Sequence, residues 1–137
     1  MKIPPGVPTS VEHELRESEA CFHAGRARAA SAMARSALEK LLRANGYDTG
    51  NLVQKIDAAH ADGIITLAHQ KRAHSDIRTL GNDILHEEWR EVSAEEVQLA
   101  HTYLLWIIQD FYGSRPEIEE QLAAKGRKYT PVAKEGQ

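Results

Sequence analysis

One cysteine, Cys21, is all that this chain of 137 residues carries. A single thiol closes no intrachain disulfide and builds no cysteine-based zinc cluster. Cys21 falls inside an apolar-periodic segment and reads as a small core residue. Aromatic side chains are scarce, at 6%. Ala and Leu carry the apolar character instead, which favours closely packed helices. Long apolar runs are missing as well. No segment approaches about 18 consecutive apolar residues, so no membrane span is expected. The opening Met-Lys-Ile-Pro-Pro-Gly lacks the apolar stretch of a secretory signal, and a cytoplasmic protein is the expectation. Nor is there an excess of positive charge: 17 Lys and Arg face 20 Asp and Glu, a net charge of −3. Nonspecific nucleic-acid binding runs on phosphate neutralisation, so a general basic coat is excluded and only a local patch stays open.

Familiar catalytic signatures are absent too. There is no glycine-rich phosphate loop, no serine elbow and no dinucleotide fingerprint, and no cofactor is expected. The seven histidines lack metal-ligand spacing. His69 and His74 are five residues apart, hence on different helix faces. His86-Glu87-Glu88-Trp89-Arg90 lacks the second histidine of a zinc-protease helix, so no metal site is expected.

What is present is helical periodicity over most of the length. Residues 1–9, with Pro4, Pro5, Gly6 and Pro8, read as an extended arm. Thr9 or Ser10 can cap a first helix with Val11, Leu15, Ser18 and Phe22 on one stripe, ended by Gly25. A second helix, about 26–44, carries Ala30, Met33, Ala37, Leu41 and Ala44 at alternating spacings of three and four, and Asn45-Gly46 stops it. Gly50 or Asn51 starts a short helix with Leu52, Ile56 and Ala59, which Gly63 ends. Thr66 can cap a segment over 66–86 with Ala73, Ile77, Leu80 and Ile84.

Ser93-Ala-Glu-Glu96 is a capping box that opens the most hydrophobic helix, about 94–112. Val97, Ala100, Leu104, Ile107 and Phe111 form its seam, and Leu99, Tyr103 and Trp106 a second stripe. A helix apolar on two sides is either central or shared with another subunit. Pro116 sits at the first turn of a last short helix, to about Lys125. Residues 126–137 read as a disordered tail. The fold class is therefore all-α: an up-and-down bundle of four main helices plus one or two short ones over residues 10–125. A homodimer is expected from the two-sided helix.

The most distinctive stretch is Arg78-Thr-Leu-Gly81-Asn82-Asp83-Ile-Leu-His86-Glu87. On a helix, Arg78, Asn82 and His86 recur every four residues and project from one face. A guanidinium, an amide and an imidazole on one ridge suit a phosphate or nucleotide. They suit catalysis equally, with His86 as acid/base, Arg78 as oxyanion partner and Asn82 as orienting group. A polar network that fixes helix register accounts for the same residues. Gly81 interrupts the helix at a cost of about 1 kcal/mol relative to Ala, which suggests close approach of a helix or ligand. Arg35, four residues before Glu39, is a further ligand-binding candidate beside a surface-pair reading.

The runs Glu19-Ala20-Cys21-Phe22-His23-Ala24-Gly25, Ala29-Ala30 through Met33, Arg35 and Leu38-Glu39, then Gly63-Ile64-Ile65-Thr66, Ile77-Arg78, Gly81-Asn82 and His86-Glu87 resemble a bacterial family of unknown function. That family is often fused to restriction-endonuclease subunits and is similar to the HEPN superfamily (higher eukaryotes and prokaryotes nucleotide-binding). The resemblance covers about residues 5–112. It implies a helical bundle that commonly dimerises and acts beside nucleic-acid processing or anti-phage defence. The partners it implies are a second copy, a nucleotide or RNA, or a defence-system protein. Active HEPN ribonucleases pair an arginine with a histidine a few residues on, across a dimer cleft, without a metal. His86 fits that histidine and Asn82 the polar residue after the arginine. Gly81 stands where the arginine falls in the shortest form of the motif, and Arg78 lies further upstream. The leading expectation is a non-catalytic or regulatory HEPN-like module. A metal-independent endoribonuclease using His86 and Arg78, or a purely structural dimeric scaffold, are the alternatives.

Overall fold

The computed structural model describes residues 2–75 and 91–131. Six helices are present among them: α1 Thr9–His23, α2 Ala27–Ala44, α3 Leu52–Ala61, α4 Leu67–Ser75, α5 Ala94–Tyr112 and α6 Arg115–Ala124. The described residues contain no strand, and the fold is all-helical.

Helices α1 and α2 form an antiparallel hairpin closed by Gly25, whose φ of +76° suits a residue without a Cβ. Arg26 N–H reaches back to the Cys21 carbonyl at 2.8 Å and ends α1. Thr9 and Ser10, expected to cap α1 at its other end, do not: no side-chain hydroxyl caps it. Extended Pro8 occupies the cap, and its carbonyl accepts from Glu12 N–H at 3.0 Å. The other expected caps form. Asn51 and Ser93 each make a reciprocal capping box, with Gln54 and Glu96. Thr66 Oγ1 accepts from His69 N–H at 3.3 Å.

α2 buries more than its predicted stripe. Ala34, Leu38 and Leu42 join Ala30, Ala37 and Leu41, while Met33 is only partly covered. The reason is position: α1, α5 and α3 all pack against α2. α5 is the central helix and packs on α2, α4 and α6. Its seam residues Val97, Ala100, Leu104, Ile107 and Phe111 are all fully buried. Of the second stripe, Tyr103 is buried inside the chain, Trp106 is partly buried and Leu99 is 41% exposed. Burial of Tyr103 within one chain removes a residue on which the expectation of a shared subunit face rested. Cys21 packs with Phe22, Ala27 and Met33 beside Ala30, Ala32, Val92 and Val97, a small second core that ties the hairpin to the start of α5.

Residues 126–130, read from sequence as the start of a disordered tail, lie against the bundle. Thr130 N–H donates to the Ala44 carbonyl at 2.7 Å. Arg127 Nε donates to Asp62 at 2.8 Å, and its guanidinium lies 4.4 Å from the centre of the Tyr47 ring. The signal was long-range: neither Asp62 nor Tyr47 is near Arg127 in sequence.

Asp62 also accepts from the Tyr47 hydroxyl at 2.7 Å. Burial works to raise the Asp62 pKa, but the hydrogen bonds from Tyr47 and Arg127 outweigh it and hold the carboxyl below its ordinary value. A carboxyl depressed in the folded state adds stability above its unfolded pKa, and that stability is lost as pH falls through the folded value. Asp62→Asn should therefore destabilise the protein at neutral pH and flatten the fall in melting temperature below about pH 4. Melting curves from pH 7 to pH 2 test this. An acid limb as steep in the variant as in the parent would refute it.

Candidate binding face around Trp106

Arg78, Asn82 and His86 lie outside the described residues, so the ridge that they were expected to form is not placed. Arg35 is placed: it lies on α2, and its guanidinium pairs with Glu39 within the helix at 3.3 Å, both side chains part-buried. That is the geometry of the surface-pair reading, and it leaves the ligand-binding one untested.

The residues that lead up to the ridge do form an ordered polar face. α4 packs on α3 and α5, and two imidazole–carboxylate pairs fasten it. His69 Nδ1 lies 2.6 Å from Asp110 Oδ2, and His74 Nε2 lies 2.7 Å from Asp57 Oδ1. An ionised carboxylate only accepts, so both imidazole nitrogens donate. The five-residue spacing does what it predicts and sends the two rings to different helices, His69 to α5 and His74 to α3. Gln70 Nε2 adds a bond to Asp57 at 2.8 Å. Burial works to raise the Asp57 pKa, but the bonds from His74 and Gln70 win and hold it low. Asp110 also accepts from Thr66 N–H at 3.4 Å, where a negative charge suits the start of a helix.

The His69 ring lies flat on Trp106, with centroids 5.1 Å apart and planes within 7°. The Arg72 guanidinium lies over the same indole, 5.7 Å from its centre. His69 and Arg72 are three apart, so both reach the same side of α4. Sequence reasoning missed this face. His69 was weighed only as a metal ligand, and Trp106 only as a stripe residue. The partner that orients His69 is Asp110, 41 residues away. No local spacing reveals that.

One turn before Trp106 on α5, the Tyr103 hydroxyl is buried with no hydrogen-bond partner among the described residues. Burial raises its pKa, and Asp110 and Asp57 push the same way. An orphaned buried hydroxyl costs about 1–3 kcal/mol. Tyr103→Phe removes the orphan and keeps the ring. It should raise stability by about 1 kcal/mol, read as a higher denaturant midpoint at unchanged slope. A lower midpoint would mean that the hydroxyl is satisfied after all.

A Ser–His contact also occurs, between Ser18 Oγ and His101 Nε2 at 2.7 Å. It is not a nucleophile and base. Ser18 gives its only hydroxyl hydrogen to the Ala30 carbonyl at 2.7 Å, so His101 Nε2 must donate to Ser18. Burial holds His101 below the ordinary imidazole value, against the attraction of Glu19. The pair locks the hairpin to α5. Among the described residues no three His, Cys, Asp or Glu side chains are grouped to hold a metal ion, and no helix is long and apolar enough to cross a membrane.

The described part is thus an all-helical domain with one preorganised imidazole–guanidinium–indole face. The chain belongs to the family described as Domain of unknown function (DUF4145), which matches residues 16–130. The matched span takes in α4, α5 and residues 126–130. No curated protein and no solved structure matches the chain.

Proposed function

We propose that this chain is a HEPN-like helical module, non-catalytic or regulatory, that binds a nucleotide, a nucleic acid or a protein partner as a homodimer in a defence or nucleic-acid-processing setting. The observation that supports binding is the face around Trp106. Tryptophan and arginine are among the side chains enriched at binding hot spots, because they bring large contact area and directed donors; here an oriented imidazole lies beside them. The bonds to Asp110 and Asp57 hold α4 in place beforehand, which lowers the ordering cost of binding. α4 is also the helix whose chain runs on towards Arg78, Asn82 and His86.

The test is thermal stabilisation and intrinsic fluorescence with ADP, with single-stranded RNA and with proteins encoded beside the gene. Binding by any of these that Trp106→Ala weakens at least about tenfold supports the proposal, a loss of about 1.4 kcal/mol. RNA fragments with cyclic-phosphate ends, abolished by His86→Ala, would replace it with the endoribonuclease reading. No binding by any probe, with His86→Ala lowering only stability, would leave a scaffold.

A further inference from the structure

We infer that the end of the bundle around Arg43 is a docking groove for the sugar-phosphate backbone of a single-stranded nucleic acid. This names one ligand class within the binding reading above and places it on a surface separate from Trp106. Three observations carry it. The first is shape. Two open hollows of about 410 Å³ each adjoin at Arg43. One also holds Lys40 and Thr130, the other Asp48, Arg127 and Lys128, so residues 126–130 wall both. The second is charge. Arg43, Lys125 and Lys128 are exposed, and among the described residues none of their side chains has an ion-pair or hydrogen-bond partner. Lys125 stands near enough to Asp62 to help lower its pKa. Lys40 and Arg127 are engaged by Glu14 and Asp62 and count as neutral pairs. Of the lining residues, Asp48 is the one carboxylate. The side chains of residues 132–137 bring one Lys and one Glu, hence no net charge. Helix dipoles account for a cation in the last turn of α2, where Arg43 lies, and at the end of α6, where Lys125 lies. They do not account for Lys128, which lies past both helices. The third is chemistry. The largest apolar side chain lining either hollow is Ala44. An acidic peptide draws its affinity from buried apolar and aromatic anchors, and the groove offers none a seat. A nucleic-acid backbone needs only cations and hydroxyl donors, here joined by Ser10 and Thr130.

Fluorescence anisotropy of a labelled oligouridylate, titrated with the full chain at rising salt, tests this. Three phosphate contacts on a single strand give a slope of log K against log salt of about −2. The double variant Arg43→Gln, Lys128→Gln removes two of them. It should raise the Kd at least tenfold at low salt and cut the slope to about −0.7. Asp48→Asn removes the lining carboxylate and should tighten binding. These side chains are exposed, so the variants should keep the parent's melting temperature. Should the double variant lose its fold, Arg43→Gln decides alone. No binding of oligouridylate at low salt, a slope near zero, or folded variants that bind like the parent would overturn the groove. Oligoglutamate bound as tightly as oligouridylate would overturn the nucleic-acid assignment in favour of an acidic peptide. If Trp106→Ala weakens oligouridylate or ADP binding while the groove variants change nothing, the groove falls and the binding module stands. If the groove variants weaken oligouridylate and Trp106→Ala affects no probe, the groove stands and the Trp106 face falls. If no probe binds, both fall.

Discussion

Arg115→Ala is expected to cost about 3–5 kcal/mol and to lower the melting temperature by roughly 10–20 °C. Arg115 is only 5% exposed, at the start of α6. Its guanidinium donates to Asn45 Oδ1 at 2.7 Å, to the Phe111 carbonyl at 3.1 Å and to the Thr130 carbonyl at 3.1 Å. It also lies 4.4 Å from the centre of the Tyr112 ring, which adds a cation–π attraction of about 1–2 kcal/mol where water is excluded. Truncation orphans the buried Asn45 oxygen, whose amide nitrogen is spent on the Leu41 carbonyl and the Tyr112 hydroxyl. Each orphaned buried acceptor costs about 1–3 kcal/mol. Arg115→Lys should recover only part, because an ammonium cannot reproduce the fork. Chemical denaturation of the three proteins decides the point. A loss under about 1 kcal/mol in the Ala variant would show that water replaces the guanidinium without penalty.

The second large effect is expected at Gly46. Its φ is +89°, and a Cβ there would sit 3.0 Å from the Arg127 Cβ and the Lys128 nitrogen and 3.1 Å from the Lys128 carbonyl oxygen. Two of those three atoms are backbone, so a flexible side chain cannot simply swing away. Gly46→Ala combines a left-handed conformation, roughly 1–2 kcal/mol, with overpacking of about 1–3 kcal/mol, for a loss of about 2–5 kcal/mol. The relief available is release of residues 127–130. Limited trypsin digestion should then cleave faster after Arg127 and Lys128 in the variant than in the parent. Equal cleavage rates with an unchanged melting temperature would contradict the close approach.

These two residues mark the limit of sequence reading. Asn45-Gly46 was legible as a helix stop, because a C-terminal glycine is a local signal. Its second role, admitting the chain at residues 127–128, is invisible locally, since the contact spans about 80 residues. Arg115 was legible only as the start of a helix with Pro116 in its first turn. Its burial follows from acceptors that no local pattern reveals, Asn45 and Thr130, which are 70 and 15 residues away.

The same division runs through the site. His69, His74 and Asp110 could be read only one by one, and the ridge of Arg78, Asn82 and His86 lies outside the described residues.

Sequence alone determined the helical class, the ends at Gly25, Asn51 and Ser93, and the fully buried seam of α5. All of these depend on neighbours within a turn or two, where backbone geometry dictates who meets whom. Tertiary structure alone decided that α5 is central, that residues 127–130 return to the bundle, and that His69 rests on Trp106 with Asp110 behind it. Those outcomes depend on which helix packs against which, a choice made by summed burial across the whole chain that no local period encodes.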